Sequence, residues 1–271
     1  MAADKVAFVT GAGGDIGQAL CVQLARLGYR MGLLSRTAAK VEATGEQLNQ
    51  ARVPHAVALC DLRDRQAVAK ATCCLSSQLG PPDVVIQNAG VGLITNPVAP
   101  NLAEMADMIQ VNYLGCVYLL EAVLPGMLER GTGHFAAIST LGAYRCPPWS
   151  AAYAASKSAM SVYLESLRPA LRRRGVQVSI IYLGFVRTAM SMSLPVRMPI
   201  WMLTPQSAAQ KIVRAVLRGK REAAIPWYDA MLAKMFRQVP TWAYDISVNW
   251  MGRFIAPPKQ PVETHAPTCH L

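Results

Sequence analysis

Acidic residues are scarce in this chain: 16 Asp and Glu stand against 27 Lys and Arg, leaving a formal charge of +11 over 271 residues. That balance disfavours cationic partners and favours anionic ones, such as a phosphorylated cofactor, a carrier protein or an acidic membrane surface. Paired cysteines at metal-binding spacing are missing, because the seven thiols at positions 21, 60, 73, 74, 116, 146 and 269 are scattered. No metal is assigned, and His265, Cys269 and His270 read as part of a frayed, Pro-punctuated terminus rather than a ligand set. No apolar run of membrane length is found in the C-terminal stretch either, since the aromatic and Met-rich residues from Trp227 to Ile255 are interrupted by Pro240. Nothing at the N-terminus reads as a secretory segment, so the thiols are expected to be reduced and the protein cytoplasmic, with peripheral membrane contact as a further option. Arg168, Arg172, Arg173 and Arg174 fall at the end of a predicted helix, where cations complement the dipole, so nucleic acid is not expected as a partner.

What the chain does have is apolar material, 52% of its residues, enough for one α/β domain with a continuous core. Short apolar runs at Val6 to Thr10, Met31 to Leu34, Ala56 to Leu59, Val84 to Ile86, Phe135 to Ile138 and Val176 to Tyr182 alternate with longer segments of helical period. A last strand is expected around Ala223 to Pro226. Strands that are apolar throughout fit a sheet covered on both faces, so the predicted fold is a Rossmann-type, doubly wound parallel α/β sheet. Residues 1–226 form the expected dinucleotide-binding catalytic part, and 227–271 form a helical extension and tail of the same domain. Within that extension, one or two amphipathic helices are expected to roof the substrate site and give weak attachment to an apolar or anionic surface; a dimer contact or simple packing would use similar residues.

Two local patterns carry chemistry. Thr10-Gly11-Ala12-Gly13-Gly14-Asp15-Ile16-Gly17 follows a strand and opens a helix whose apolar residues recur at Ile16, Leu20, Leu24 and Leu27. Glycines at such a turn let the backbone approach a pyrophosphate resting on a helix N-terminus. Tyr153 and Lys157 are four apart in a helical segment, Ala151 to Leu171, and so project from one face. An ammonium beside a phenol favours the phenolate and moves its pKa toward the working range.

The order of these pieces over residues 5–190 resembles the short-chain dehydrogenase/reductase family. Thr10 to Gly17 is similar to that family's TGxxxGxG turn, Asn88-Ala89-Gly90 to its NAG element, and Tyr153-Ala-Ala-Ser-Lys157 to its YxxxK pair. The resemblance implies a nicotinamide-dependent oxidoreductase that interconverts a carbonyl and an alcohol, with Tyr153 exchanging the proton. It further implies that Lys157 tunes Tyr153 and holds the nicotinamide ribose, that Asn112 supports a proton-relay water, that Asp61 with Leu62 borders the adenine, and that Thr188 after Gly184 meets the nicotinamide amide. Thr140 stands where the family has its catalytic serine, with Ser139 as the alternative hydroxyl.

Three departures matter. Asp15 replaces a glycine, and its carboxylate either faces the cofactor phosphates or serves the N-terminus of the helix it opens. Leu183 replaces a proline, which is expected to loosen a loop. At the end of the second strand stand Ser35 and Arg36 rather than a carboxylate, and a guanidinium there suits a 2′-phosphate, so NADP(H) is preferred, with NAD(H) the other option. The substrate is expected to be a hydrophobic ketone, aldehyde or alcohol, such as an acyl chain, a steroid-like ring or another lipid. Met190, Met192, Leu194, Met198, Trp201 and Met202 either cover it or pack into the core. A homo-oligomer is the expected assembly. A different class, a non-catalytic dinucleotide-binding or interaction protein that keeps the fold, is the alternative reading.

Overall fold

The computed structural model describes residues 5–194 and 201–255; the expectations for Met198, His265, Cys269 and His270 lie outside the described residues. Seven parallel strands form one sheet in the order β3-β2-β1-β4-β5-β6-β7. They are β1 (Val6–Thr10), β2 (Arg30–Ser35), β3 (His55–Leu59), β4 (Val84–Gln87), β5 (Gly133–Thr140), β6 (Val176–Leu183) and β7 (Glu222–Ile225). Helices α1 (Asp15–Ala25), α2 (Ala38–Gln50) and α3 (Arg65–Leu79) connect the first four strands. Next come α4 (Leu102–Ile109), a π-helical turn (Gln110–Leu114) and α5 (Gly115–Arg130); α6 (Ala151–Arg173) leads into β6. Beyond β6 lie α7 (Ala189–Met192) and α8 (Pro205–Leu217), and after β7 come α9 (Trp227–Gln238) and α10 (Thr241–Ile255).

Both faces of the sheet are covered because alternate side chains of each strand meet helices. On one face Phe8, Val85 and Phe135 pack with Leu75 of α3, Leu119 of α5 and Leu164 of α6. On the other, Val9, Leu33, Ile86 and Ile181 meet Leu20 and Leu24 of α1, Leu48 of α2 and Ile212 of α8. Each such fully buried side chain stabilises the fold by about 1.5–3 kcal/mol. The central strands are therefore apolar on both sides. The edge strand β3 alternates instead, leaving Val57 and Leu59 exposed. The run Leu102–Arg130 is long and apolar enough to span a membrane by length and composition, yet here α5 packs as a core helix against α3 and β5.

Boundaries differ from the sequence expectation where chemistry intervenes. Helix α1 stops at Ala25 and leaves Leu27 exposed in the turn before β2. The last strand closes at Ile225, one residue early, because Pro226 has no N–H to continue a ladder. Leu183, expected to loosen a loop, is instead the buried last residue of β6, paired with Thr140 on one side and Ile225 on the other. A leucine carries the N–H that a proline would lack, so the strand runs on to that point.

The topology sets the position of the site. The chain crosses from one side of β1 to the other between β3 and β4, and in open parallel sheets the crevice at the carboxyl ends of the strands beside such a switch is where ligands bind. The segments after β1, β2, β4, β5 and β6 all emerge at that edge.

Candidate active site

The floor of the crevice is a hydrogen-bonded seam between β1 and β4. Thr10, fully buried, donates its hydroxyl to Gln87 Oε1 at 2.6 Å and accepts from the backbone N–H groups of Asn88 and Ala89, both at 3.0 Å. Asn88 returns a bond from Nδ2 to the carbonyl of Thr10 at 3.1 Å, and Gln87 Nε2 donates to Ala89 O at 3.2 Å. Gln87 was not singled out by sequence reasoning, because a buried glutamine at a strand end announces itself only through its partners.

Above this seam the glycine turn passes very close to neighbouring backbone. Gly11 has φ +63°, and a Cβ on it would sit 2.9 Å from Ala89 Cα; a Cβ on Gly17 would sit 2.0 Å from the carbonyl oxygen of Gly11. Only glycine tolerates these approaches. Helix α1 then opens on Gly14, which provides no side-chain cap, so first-turn N–H groups, including those of Ile16 and Gly17, remain as donors for an anion in the crevice. This donor set fits the pyrophosphate of a dinucleotide.

Asp15 does not aim at that anion position. Its Oδ2 accepts the backbone N–H of Ala189 at 2.6 Å, across 174 residues of sequence, so the helix N-terminus it serves is that of α7 and not, as expected, that of the helix it opens. Thr188 caps α7 through its hydroxyl, with Ser191 answering from N3, and Gly184 is held by a 2.8 Å bond from its N–H to Ile225 O.

Around the reacting centre, segment 90–92 brings Asn112, Tyr153 and Lys157 together. A Cβ on Gly90 would lie 3.0 Å from Asn112 Oδ1 and 3.2 Å from Lys157 Nζ, and one on Gly92 would lie 3.2 Å from the Tyr153 ring. Asn112, fully buried in the π turn, accepts from Val91 N–H at 2.9 Å and donates to Val91 O at 2.8 Å and to Ser156 Oγ at 2.9 Å. The π turn rotates one residue out of helical register, a distortion frequent at functional sites. Ser156, which sequence reasoning missed, donates to the Tyr153 carbonyl at 2.7 Å and so couples Asn112 to α6. Lys157 is buried and donates from Nζ to Ile138 O at 2.8 Å, two residues before Thr140.

Thr140 and Ser139 point to opposite faces of β5. The Thr140 hydroxyl accepts the N–H of Gly142 at 3.1 Å and keeps its own O–H to donate into the crevice. Ser139 is buried and shares a 2.8 Å bond with Ser161 of α6. Its hydroxyl is thus committed to the α6 packing face.

Electrostatics depart from one expectation. Burial pushes the Tyr153 phenol up to about 12, with no lowering contribution from an ammonium, so the expected downward shift is absent. Burial also drives Lys157 down, to about 8. Desolvation dominates both groups because each loses hydration for its charged form. The phenol is therefore protonated at neutral pH, the state needed to donate a proton.

At the adenosine end, Arg36 is exposed at the end of β2, next to Ser35, whose hydroxyl turns back to the Thr37 carbonyl. Leu62 is buried beside Gly115, and Asp61 is engaged by Arg63, whose side chain bonds both carboxylate oxygens and continues to Asp107 of α4 at 2.9 Å. Arg63 holds the Asp61 carboxyl below its ordinary range, and Arg36 adds to that effect. Arg63 is a third residue that the motifs did not mark.

The chain belongs to the short-chain dehydrogenases: that family's model matches residues 5–198. An uncharacterized oxidoreductase of Myxococcus xanthus (strain DK1622) is 33% identical over 245 residues, covering 90% of this chain and 96% of that protein. A metagenomic short-chain oxidoreductase in complex with NADP aligns with TM-score 0.70 and 28% identity over 82% of this chain and 96% of that one. NAD+-bound xylitol dehydrogenase aligns with TM-score 0.74 at 21% identity, over 82% and 98% of the two chains. The protein is accordingly an oxidoreductase of this family, and its fold is one that hosts either nicotinamide cofactor.

Proposed function

We propose that the protein is an NADP(H)-dependent carbonyl reductase for a hydrophobic ketone or aldehyde. The observation that carries the cofactor choice is Arg36, exposed at the end of β2 where an NAD-binding site would place a carboxylate. When bound, the cofactor supplies a hydride to the carbonyl carbon. Tyr153 then gives its phenolic proton to the carbonyl oxygen, Thr140 donates a hydrogen bond to that oxygen, and Lys157 binds the ribose hydroxyls and stabilises the phenolate left behind. Asn112, locked by Val91 and Ser156, sets the path by which Tyr153 regains its proton.

The substrate class follows from exposed apolar side chains around the crevice mouth. Phe185, Met190, Met192 and Trp201 are 51%, 45%, 60% and 62% exposed, which speaks for covering an apolar substrate over core packing. On α9, Trp227, Met231 and Met235 recur every fourth residue on one exposed stripe, with Lys234 and Arg237 also exposed; on α10, Trp242 and Ile246 are exposed as well. This stripe supports weak peripheral contact with an anionic membrane, and self-association of the chain would use the same kind of surface. The side chains of Phe236, Trp250, Arg253 and Phe254 lie outside the described residues. Fluorescence titration with NADPH and NADH tests the cofactor reading: NADPH is expected to bind at least about tenfold more tightly, and Arg36→Asp to reverse the order. An unchanged ratio in the variant removes Arg36 from the argument.

A further inference from the structure

The Asp15–Ala189 bond joins two halves of the crevice that the chain builds separately. Asp15 is the first residue of α1, at the end of the glycine turn; Ala189 is the first residue of α7, directly after Thr188. The N–H groups that start a helix have no partner within it, and the Thr188–Ser191 box uses the N–H of Ser191 but leaves that of Ala189. A glycine at position 15 has no side-chain acceptor to offer. The segment is fastened at its root as well: Val186 and Leu203 form a parallel bridge, with Arg187 N–H bonded to Leu203 O at 2.9 Å and Leu203 N–H to Phe185 O at 3.0 Å. Asp15 is thus a second anchor, placed on the cofactor side.

We propose that Asp15 is a positioning residue that ties the segment after β6 to the glycine turn, holding the nicotinamide side of the crevice in place before cofactor binds. The proposal rests on the dinucleotide reading of the crevice. Asp15 is exposed, so the tether is worth one solvent-weakened, charge-assisted hydrogen bond, and the effect is local. Its carboxylate also brings negative charge near the pyrophosphate donors, and the two effects have opposite signs. Asp15→Asn separates them, because the amide keeps an acceptor oxygen while losing the charge.

The test measures amide hydrogen exchange of peptides containing Ala189 in the cofactor-free protein, together with affinities for NADPH and for 2′,5′-ADP, which lacks both pyrophosphate and nicotinamide. In Asp15→Ala, exchange at Ala189 is expected to rise about tenfold and NADPH to bind about fivefold more weakly, with 2′,5′-ADP unchanged. Asp15→Asn is expected to stay close to the parent in all three. Unaltered exchange at Ala189 in Asp15→Ala overturns the tether. So does tighter NADPH binding in both variants, which would show that charge repulsion governs. Failure of the parent protein to bind NADPH at all would instead overturn the cofactor reading, and exchange at Ala189 then decides the tether by itself.

Discussion

The crevice floor and the crevice mouth follow different rules. On the floor, Thr10, Gln87, Asn112 and Lys157 are buried polar groups, and each is held by hydrogen bonds of 2.6 to 3.2 Å to named partners. At the mouth, Phe185, Met190, Met192 and Trp201 are apolar groups left in the open. Buried polar groups demand complete pairing, which fixes geometry tightly and restricts the residue at each position. An apolar rim demands only shape and hydrophobicity, so many sequences serve it. On the proposed function, the reaction is written rigidly into one region, and the choice of substrate loosely into the other.

The largest effect should come from the reacting group. Tyr153→Phe deletes one hydroxyl and should lower turnover by about three to four orders of magnitude while leaving NADPH affinity within about twofold, as read by steady-state rates alongside fluorescence titration. A floor residue that holds the proton path through its hydrogen bonds should cost stability as well as turnover. Asn112→Ala leaves the N–H and carbonyl of Val91 unpaired and removes the partner of Ser156, a loss of about 2–3 kcal/mol expected in denaturant unfolding. Lys157 makes the floor sensitive to pH. Its ammonium, lowered to about 8, is progressively lost as pH rises through that value, so NADPH affinity should fall severalfold between about pH 7 and about pH 9 and become flat in Lys157→Met. The linked stability term has the opposite sense. Between about 8 and the ordinary lysine value the unfolded chain binds more protons, so this group stabilises the fold as pH rises through that window. The smallest effect belongs to the mouth: Met190→Ser with Met192→Ser should change unfolding free energy by less than about 0.5 kcal/mol, yet raise KM for an apolar ketone more than for a small polar one. Equal KM changes for both ketones would erase the contrast between the two regions.

That contrast also explains what the sequence discloses. Thr10, Gly11, Gly17, Asn88, Tyr153 and Lys157 were legible because close backbone approach and buried polar pairing leave few alternatives, and the sheet was legible because its central strands are apolar on both faces. Gln87, Ser156 and Arg63 were not, since each acts through a partner distant in sequence: Thr10, Asn112 and Asp107 respectively. The direction of the Tyr153 shift was missed because its cause is burial, a property of the folded chain. The destination of Asp15 was equally hidden, as its partner is 174 residues away. In the C-terminal extension, Pro240 marked the break between α9 and α10, but which faces remain exposed emerged only once α9 packed against β7.

The most direct test of the central claim follows the hydride itself. Protein, NADPH deuterated at the transferable C4 position and an apolar ketone are mixed in a single turnover, and the alcohol is analysed by mass spectrometry for deuterium on the former carbonyl carbon. The account predicts stoichiometric transfer of that deuterium by the parent protein and almost none by Tyr153→Phe over the same interval, although both bind NADPH. Equal transfer by the two proteins, or a parent protein that binds NADPH and a panel of apolar ketones yet transfers no deuterium to any of them, would contradict it.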